Sequence, residues 1–165
     1  MSITVEDGSV VSGANSYLSV ADADSYFTEH SSPADWSGAT TGEKEAALKY
    51  ATLWLDNNQK WYSCIVSTSQ VLDWPRKSFV DSEGRSIGGS NVMPQALLDA
   101  TAELAIEYIK SNFVEATENI RRERMGSSET EYSGGGPGMD YSFVVLMISE
   151  LGRPRTSGIR IVKGG

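Results

Sequence analysis

Few residues of this chain have the types that do chemistry, and their spacing leaves them without partners. His30 is the one histidine. It closes a helical stretch, where a cationic side chain is favourable. A catalytic histidine needs a nucleophile or a carboxylate held against it, and no motif here marks one. The one cysteine, Cys64, follows Trp61-Tyr62-Ser63. A nucleophilic thiolate needs an electropositive neighbourhood, and only Lys60 is close in sequence. The reading is a buried core cysteine. One histidine and one cysteine cannot complete a zinc site. Asp22 and Asp24 are two apart, so on a helix they point in different directions. Asp81-Ser82-Glu83-Gly84 has the start of a calcium loop but no later carboxylates at the required spacing, which leaves an acidic turn. The glycine run 134–138 has no Lys-Ser/Thr pair behind it, so it is no phosphate loop. The expectation is a protein with no catalytic residues, no cofactor and no metal, and not an enzyme.

Charge sorts the remaining possibilities. The chain has 165 residues and a net charge of −8. Residues 1–151 hold 22 acids and 10 bases, a net of −12, whereas residues 152–165 hold four bases and no acid. Affinity for a phosphate backbone comes largely from Lys and Arg displacing counterions, so an acidic body does not cradle DNA. A basic end on an acidic body suggests docking on an acidic partner. Arg121-Arg122-Glu123-Arg124 could be a nucleic-acid patch. The favoured reading is structural, because a Gly126-Ser127 turn would set Arg124 opposite Glu129 and Arg122 opposite Glu131. Such pairs contribute only about 0.2–1 kcal/mol each, so they set register more than stability. Trp36, Trp54, Trp61 and Trp74 could stack bases, but their sequence neighbours are acidic or apolar.

The elements that carry these residues are mostly helical. The length suits one domain, and a 39% apolar composition is globular. The longest apolar run, Phe143 to Ile148, is too short for a bilayer, and no secretory leader is visible at the N-terminus. After a short strand or arm, Ser19 with Asp22 starts a helix running to about His30 that buries Ala23, Tyr26 and Phe27. A polar loop containing Trp36 follows. Thr40 with Glu43 forms a second capping box, and Ala47, Tyr50, Ala51, Trp54 and Leu55 make an amphipathic stripe to about Asn57. Residues 59–92 mix short extended pieces with turns, one of them at Ser82-Glu83-Gly84-Arg85. A helix opened by Pro94 runs to about Asn112, with Leu97, Ala100, Thr101, Leu104, Ala105, Tyr108 and Ile109 on one stripe. Residues 119–133 read as a β-hairpin, 134–138 as a flexible linker, and Tyr141–Leu151 as a short helix. Arg153–Gly165 reads as an extended tail. The fold class is mainly α: a small helical bundle with a β-hairpin and an extended C-terminal arm. The division is a body, 1–133, then linker, short helix and basic arm, 134–165.

One segment is architectural in character. In Gln70-Val71-Leu72-Asp73-Trp74-Pro75-Arg76, Pro75 removes a backbone donor and pushes Trp74 out of helical space. With Pro94, the residues Gln70, Trp74, Pro75 and Arg76 form a device for seating a helix on other helices. This segment, the Ala-Asn-Ser-Tyr-Leu-Ser stretch at 14–19, Lys-Glu-Ala-Ala-Leu from Lys44, Met93-Pro94, and Ala100-Thr101-Ala102-Glu103-Leu104-Ala105 resemble, in that order, the head–tail adaptor proteins of tailed bacteriophages. That family is often labelled DnaT-like ssDNA-binding protein. The resemblance spans most of the chain. It departs at Met93, where the family has Ile, and in a longer Gly-rich loop.

The resemblance implies a structural role in the virion neck. Such adaptors form a ring, usually dodecameric, between the portal protein and a downstream tail or nozzle protein. They continue the channel through which DNA passes, and no membrane is involved. A negative lumen lets DNA slide, which suits the acidic body. The portal-binding arm would be Arg153, Arg155, Ile159, Arg160, Ile161, Val162 and Lys163, gaining order as a strand added to an edge of the portal. The alternative, implied by the family's label, is a DnaT-like single-stranded DNA-binding module.

Overall fold

The structure is a computed structural model that describes residues 2–31, 33–115 and 142–155, and the side chains of 111–115 are outside it. Helix α1 (Val20–His30) starts where the cap signal places it: Ser19 Oγ accepts the Asp22 N–H at 3.0 Å. The predicted loop around Trp36 is instead a short helix, α2 (Ala34–Gly38), because the Pro33 carbonyl collects the N–H groups of Trp36 and Ser37. Burial of the Trp36 ring against Phe27 holds that turn in place. Helix α3 (Thr41–Asn58) opens on a reciprocal box, with Glu43 N–H to Thr40 Oγ1 at 3.3 Å and Thr40 N–H to Glu43 Oε2 at 2.7 Å.

Past α3 the chain enters short strands. Strand β1 (Gln59–Trp61) directs Gln59 and Trp61 inward and Lys60 outward. Strands β2 (Phe79–Val80) and β3 (Ser86–Ile87) form a hairpin in register Phe79↔Ile87. Its turn is the predicted one: Asp81 accepts the N–H groups of Glu83 and Arg85, and Gly84 takes φ +80°. Helix α4 (Gln95–Glu115) begins behind Pro94, whose carbonyl accepts the Leu97 and Leu98 N–H groups. The predicted short helix is α5 (Ser142–Met147), and it leads into β4 (Gly152–Pro154), which pairs antiparallel with β1. The class is therefore mainly α with a hairpin. The hairpin on view is β2–β3; the one predicted at 119–133 lies outside the described residues, as does the linker at 134–138.

The core lies where α3 runs along α4, with α1, α2 and α5 closing it. The α3 stripe is rotated from its predicted centre. Ala47, Leu48, Ala51, Thr52 and Leu55 are buried, while Tyr50 sits at the rim, stacked on Tyr108. Thr52 earns its buried place by accepting the Tyr17 N–H at 3.1 Å. Cys64 departs from its predicted burial and is exposed. Trp61 takes the last inward position of β1, and Cys64 falls beyond it, where its carbonyl accepts the Lys77 N–H at 2.8 Å.

Candidate functional site

The segment 70–76 ties itself together through two polar side chains. Gln70 accepts the Ser67 N–H at 3.1 Å and donates to the carbonyls of Leu72 and Pro75 at 2.7 and 3.2 Å. Arg76 spends its guanidinium on the carbonyls of Tyr62, Asp73 and Ser63, at 2.9, 2.7 and 3.2 Å. Its fork geometry suits it to collecting several acceptors at once. Between them Trp74 is fully buried, edge-on to Trp61 with ring centroids 5.8 Å apart, and the Trp74–Pro75 bond is cis. All four of these residues therefore hold backbone or core.

A buried polar junction fastens this segment to the helices. The Tyr17 hydroxyl donates to Asp56 Oδ1 at 2.5 Å and accepts the Trp74 N–H at 3.2 Å. Asp56 Oδ2 accepts the Asp73 N–H at 3.2 Å. Burial pushes the Asp56 carboxyl up to about 6, against the Tyr17 hydrogen bond, which pulls it down. Burial also drives the Tyr17 phenol well above its usual value, with the Asp56 charge adding to it. A second buried carboxylate, Glu6, accepts the N–H groups of Gly8, Val10 and Val11, each at 2.9 Å, and so shapes the N-terminal loop. Nothing in the sequence marked Glu6 as buried, because its partners are backbone groups that any residue supplies.

The C-terminal segment is rooted beside this junction. Strand β4 pairs Gln59↔Pro154, Lys60↔Arg153 and Trp61↔Gly152. A Cβ on Gly152 would lie 2.9 Å from the Lys60 carbonyl oxygen and 3.0 Å from Trp61 Cα, so only glycine lets β4 come this close. The Arg155 N–H donates to the Asn58 carbonyl at 2.7 Å. Its guanidinium reaches the Gln59 carbonyl at 2.8 Å and Asp73 Oδ2 at 3.8 Å. Of the residues expected in the arm, Arg153 and Arg155 thus belong to a strand-paired root, because backbone pairing with β1 captures them. Ile159, Arg160, Ile161, Val162 and Lys163 lie outside the described residues.

The other residues singled out for chemistry are tied into structure. His30 Nδ1 is 2.8 Å from the Tyr26 carbonyl, and its ring stacks on Tyr26. Asp22 accepts the hydroxyl of the cap residue Ser19 at 2.5 Å, while Asp24 accepts from Trp36 Nε1 at 2.7 Å and Lys44 Nζ at 2.8 Å. Burial raises the Asp24 pKa, but these two donors outweigh it and the net shift is downward. Three of the four tryptophans, Trp36, Trp61 and Trp74, are at most 6% exposed, which takes them out of reach of a stacked base. A cleft of about 590 Å³ opens between the N-terminal segment, α1 and the start of α4, with Asp7, Asp22, Glu29 and Asp99 on its walls. Among the described residues no group of three His, Cys, Asp or Glu side chains could hold a metal, and no helix is long and apolar enough to cross a membrane.

Fold and site together define a small, mainly α body in which the polar side chains traced above fasten its own segments. The chain belongs to the family described as "Putative DnaT-like ssDNA binding protein", whose model matches residues 1–164. No curated protein and no solved structure matches it.

Proposed function

We propose that the chain is a structural virion protein, a ring-forming adaptor between the portal and the tail of a tailed phage. In this reading residues 156–165, which follow the rooted strand β4 in sequence, dock on the portal. The observation that carries it is the root itself. The one stretch of the chain with several bases and no acid starts from a strand pinned to the acidic body through Asn58, Gln59 and Asp73. A pinned root with a charged extension is the arrangement a docking arm needs, and identical arms in a ring bind by avidity. The phage setting comes from the motif resemblance at 14–19, 70–76 and 93–105.

A second reading is single-stranded DNA binding, and the family's description favours it over the first. Burial of Trp36, Trp61 and Trp74 weighs against it, since sequence-tolerant binding relies on accessible aromatic faces in a basic groove. Two measurements separate them. Purified chain mixed with portal protein and imaged by electron microscopy should give capped rings, and deletion of 156–165 should abolish them while leaving the melting curve intact. Fluorescence anisotropy with a labelled oligonucleotide should show no binding at physiological salt. Micromolar binding with a steep salt slope, and no portal complex, would establish the second reading instead.

A further inference from the structure

We infer that the outer face of the β1–β4 ribbon, built on Lys60 and Arg153 with Tyr62 and Lys77 beside them, is a docking surface for acidic side chains of a partner protein. This rests on the adaptor reading and adds body residues to a contact so far assigned to the arm alone. The starting point is the register. Lys60 lies directly opposite Arg153 across the antiparallel pair, and both side chains are exposed. Like charges at directly opposed positions weaken a strand pair. Neither side chain has a hydrogen bond or ion pair among the described residues. The ribbon therefore carries a repulsion that the fold does not relieve.

Most of the other cations among the described residues do have partners. Lys44 meets Asp24, Lys49 meets Glu45, Arg85 meets Asp81 and Lys110 meets Glu107. Arg155 reaches Asp73, and Arg76 is saturated by carbonyls. Among the described residues, the Lys and Arg side chains without such a partner are Lys60, Lys77 and Arg153. Lys77 is brought to the same place, since its N–H donates to Cys64 and its carbonyl accepts from Ser63, just past β1. Tyr62 shares the outward face with Lys60, two residues on, and is 43% exposed with its ring edge-on to Phe79. On a body of net −12, the positive charge left unpaired among the described residues gathers at the root of the basic C-terminal stretch.

An acidic protein surface fits this face better than a nucleic acid does. The patch is short, offers one exposed aromatic, and lies on an otherwise negative body that repels a continuous phosphate backbone. A cluster of Asp and Glu side chains needs only a local patch, and its encounter is steered by charge.

The test uses the full chain and two single substitutions, Lys60→Glu and Arg153→Glu. Each converts the like-charge pair into an opposite-charge pair, so a purely structural ribbon keeps or raises its melting temperature. The probes are the portal protein of the same virus, a fluorescent poly-glutamate peptide and a labelled oligo-dT. We expect both variants to lose on the order of tenfold in portal and poly-glutamate affinity at low salt, with the loss shrinking as salt rises. Unchanged binding of both variants to portal would overturn the inference and leave the adaptor reading standing. If the wild-type chain ignores portal but binds poly-glutamate in a manner both substitutions weaken, the adaptor reading fails and the docking face stands. If the substitutions weaken oligo-dT binding alone, the face is a nucleic-acid surface and the inference is wrong.

Discussion

Asp56 gives the clearest test of the buried junction. Its carboxyl is raised from 3.8 to about 6 by burial, while it accepts the Tyr17 hydroxyl and the Asp73 N–H. A shift of that size corresponds to about 3 kcal/mol of difference between the neutral and charged forms. Because the folded-state value lies above the unfolded one, the stabilising contribution is complete below about 3.8 and is lost as pH rises through about 6. Asp56→Asn removes the titration and keeps an acceptor for Tyr17, at the cost of about 1 kcal/mol for one mispaired hydrogen bond. Absolute stabilities mix these effects, so the quantity to follow is wild type minus variant. Urea denaturation from about pH 4.5 to pH 7.5 should show that difference falling by roughly 2 kcal/mol as pH rises. Carboxylates held low by their donors, Asp24 and Glu43 among them, weaken both proteins at acid pH and cancel in the difference. Parallel pH profiles would show that Asp56 is not desolvated in the folded protein and would refute the reasoning.

Trp74→Ala should cost roughly 3–5 kcal/mol, because a fully buried ring against Trp61 is removed; an unchanged thermal midpoint would refute its burial. Gly152→Ala should open the β1–β4 ribbon, since the added Cβ meets the Lys60 carbonyl at 2.9 Å. Faster amide exchange at Tyr62 and Arg155, whose N–H groups donate across that ribbon, is the readout. Thr40→Ala removes one side of the α3 capping box and should cost about 1 kcal/mol in denaturant melts; an unchanged denaturation midpoint would refute the box's contribution.

Helix positions were legible because they are written locally. Ser19 with Asp22, Thr40 with Glu43, and Pro94 each fix a start through atoms only a few residues away. The turn at 81–85 is equally local, as is the concentration of positive charge at the C-terminal end. The Trp-Pro-Arg segment was recognisable as architectural, because a proline beside a large apolar ring constrains the backbone wherever it occurs.

What tertiary structure decided are the partners far away in sequence. That Tyr17, Asp56 and Trp74 meet depends on how α3 and the 70–76 segment pack, and no periodicity encodes it. The rotation of the α3 stripe toward Leu48 and Thr52 was set by where α4 and Tyr17 lie. Cys64 looked like core by residue type, yet Trp61 fills the inward position and leaves the thiol outside. Arg153 and Arg155 read as free tail because three residues of strand carry little signal of their own. Pairing with β1 is a contact across more than ninety residues, made possible by Gly152, and the opposition of Lys60 to Arg153 exists only once that register is set.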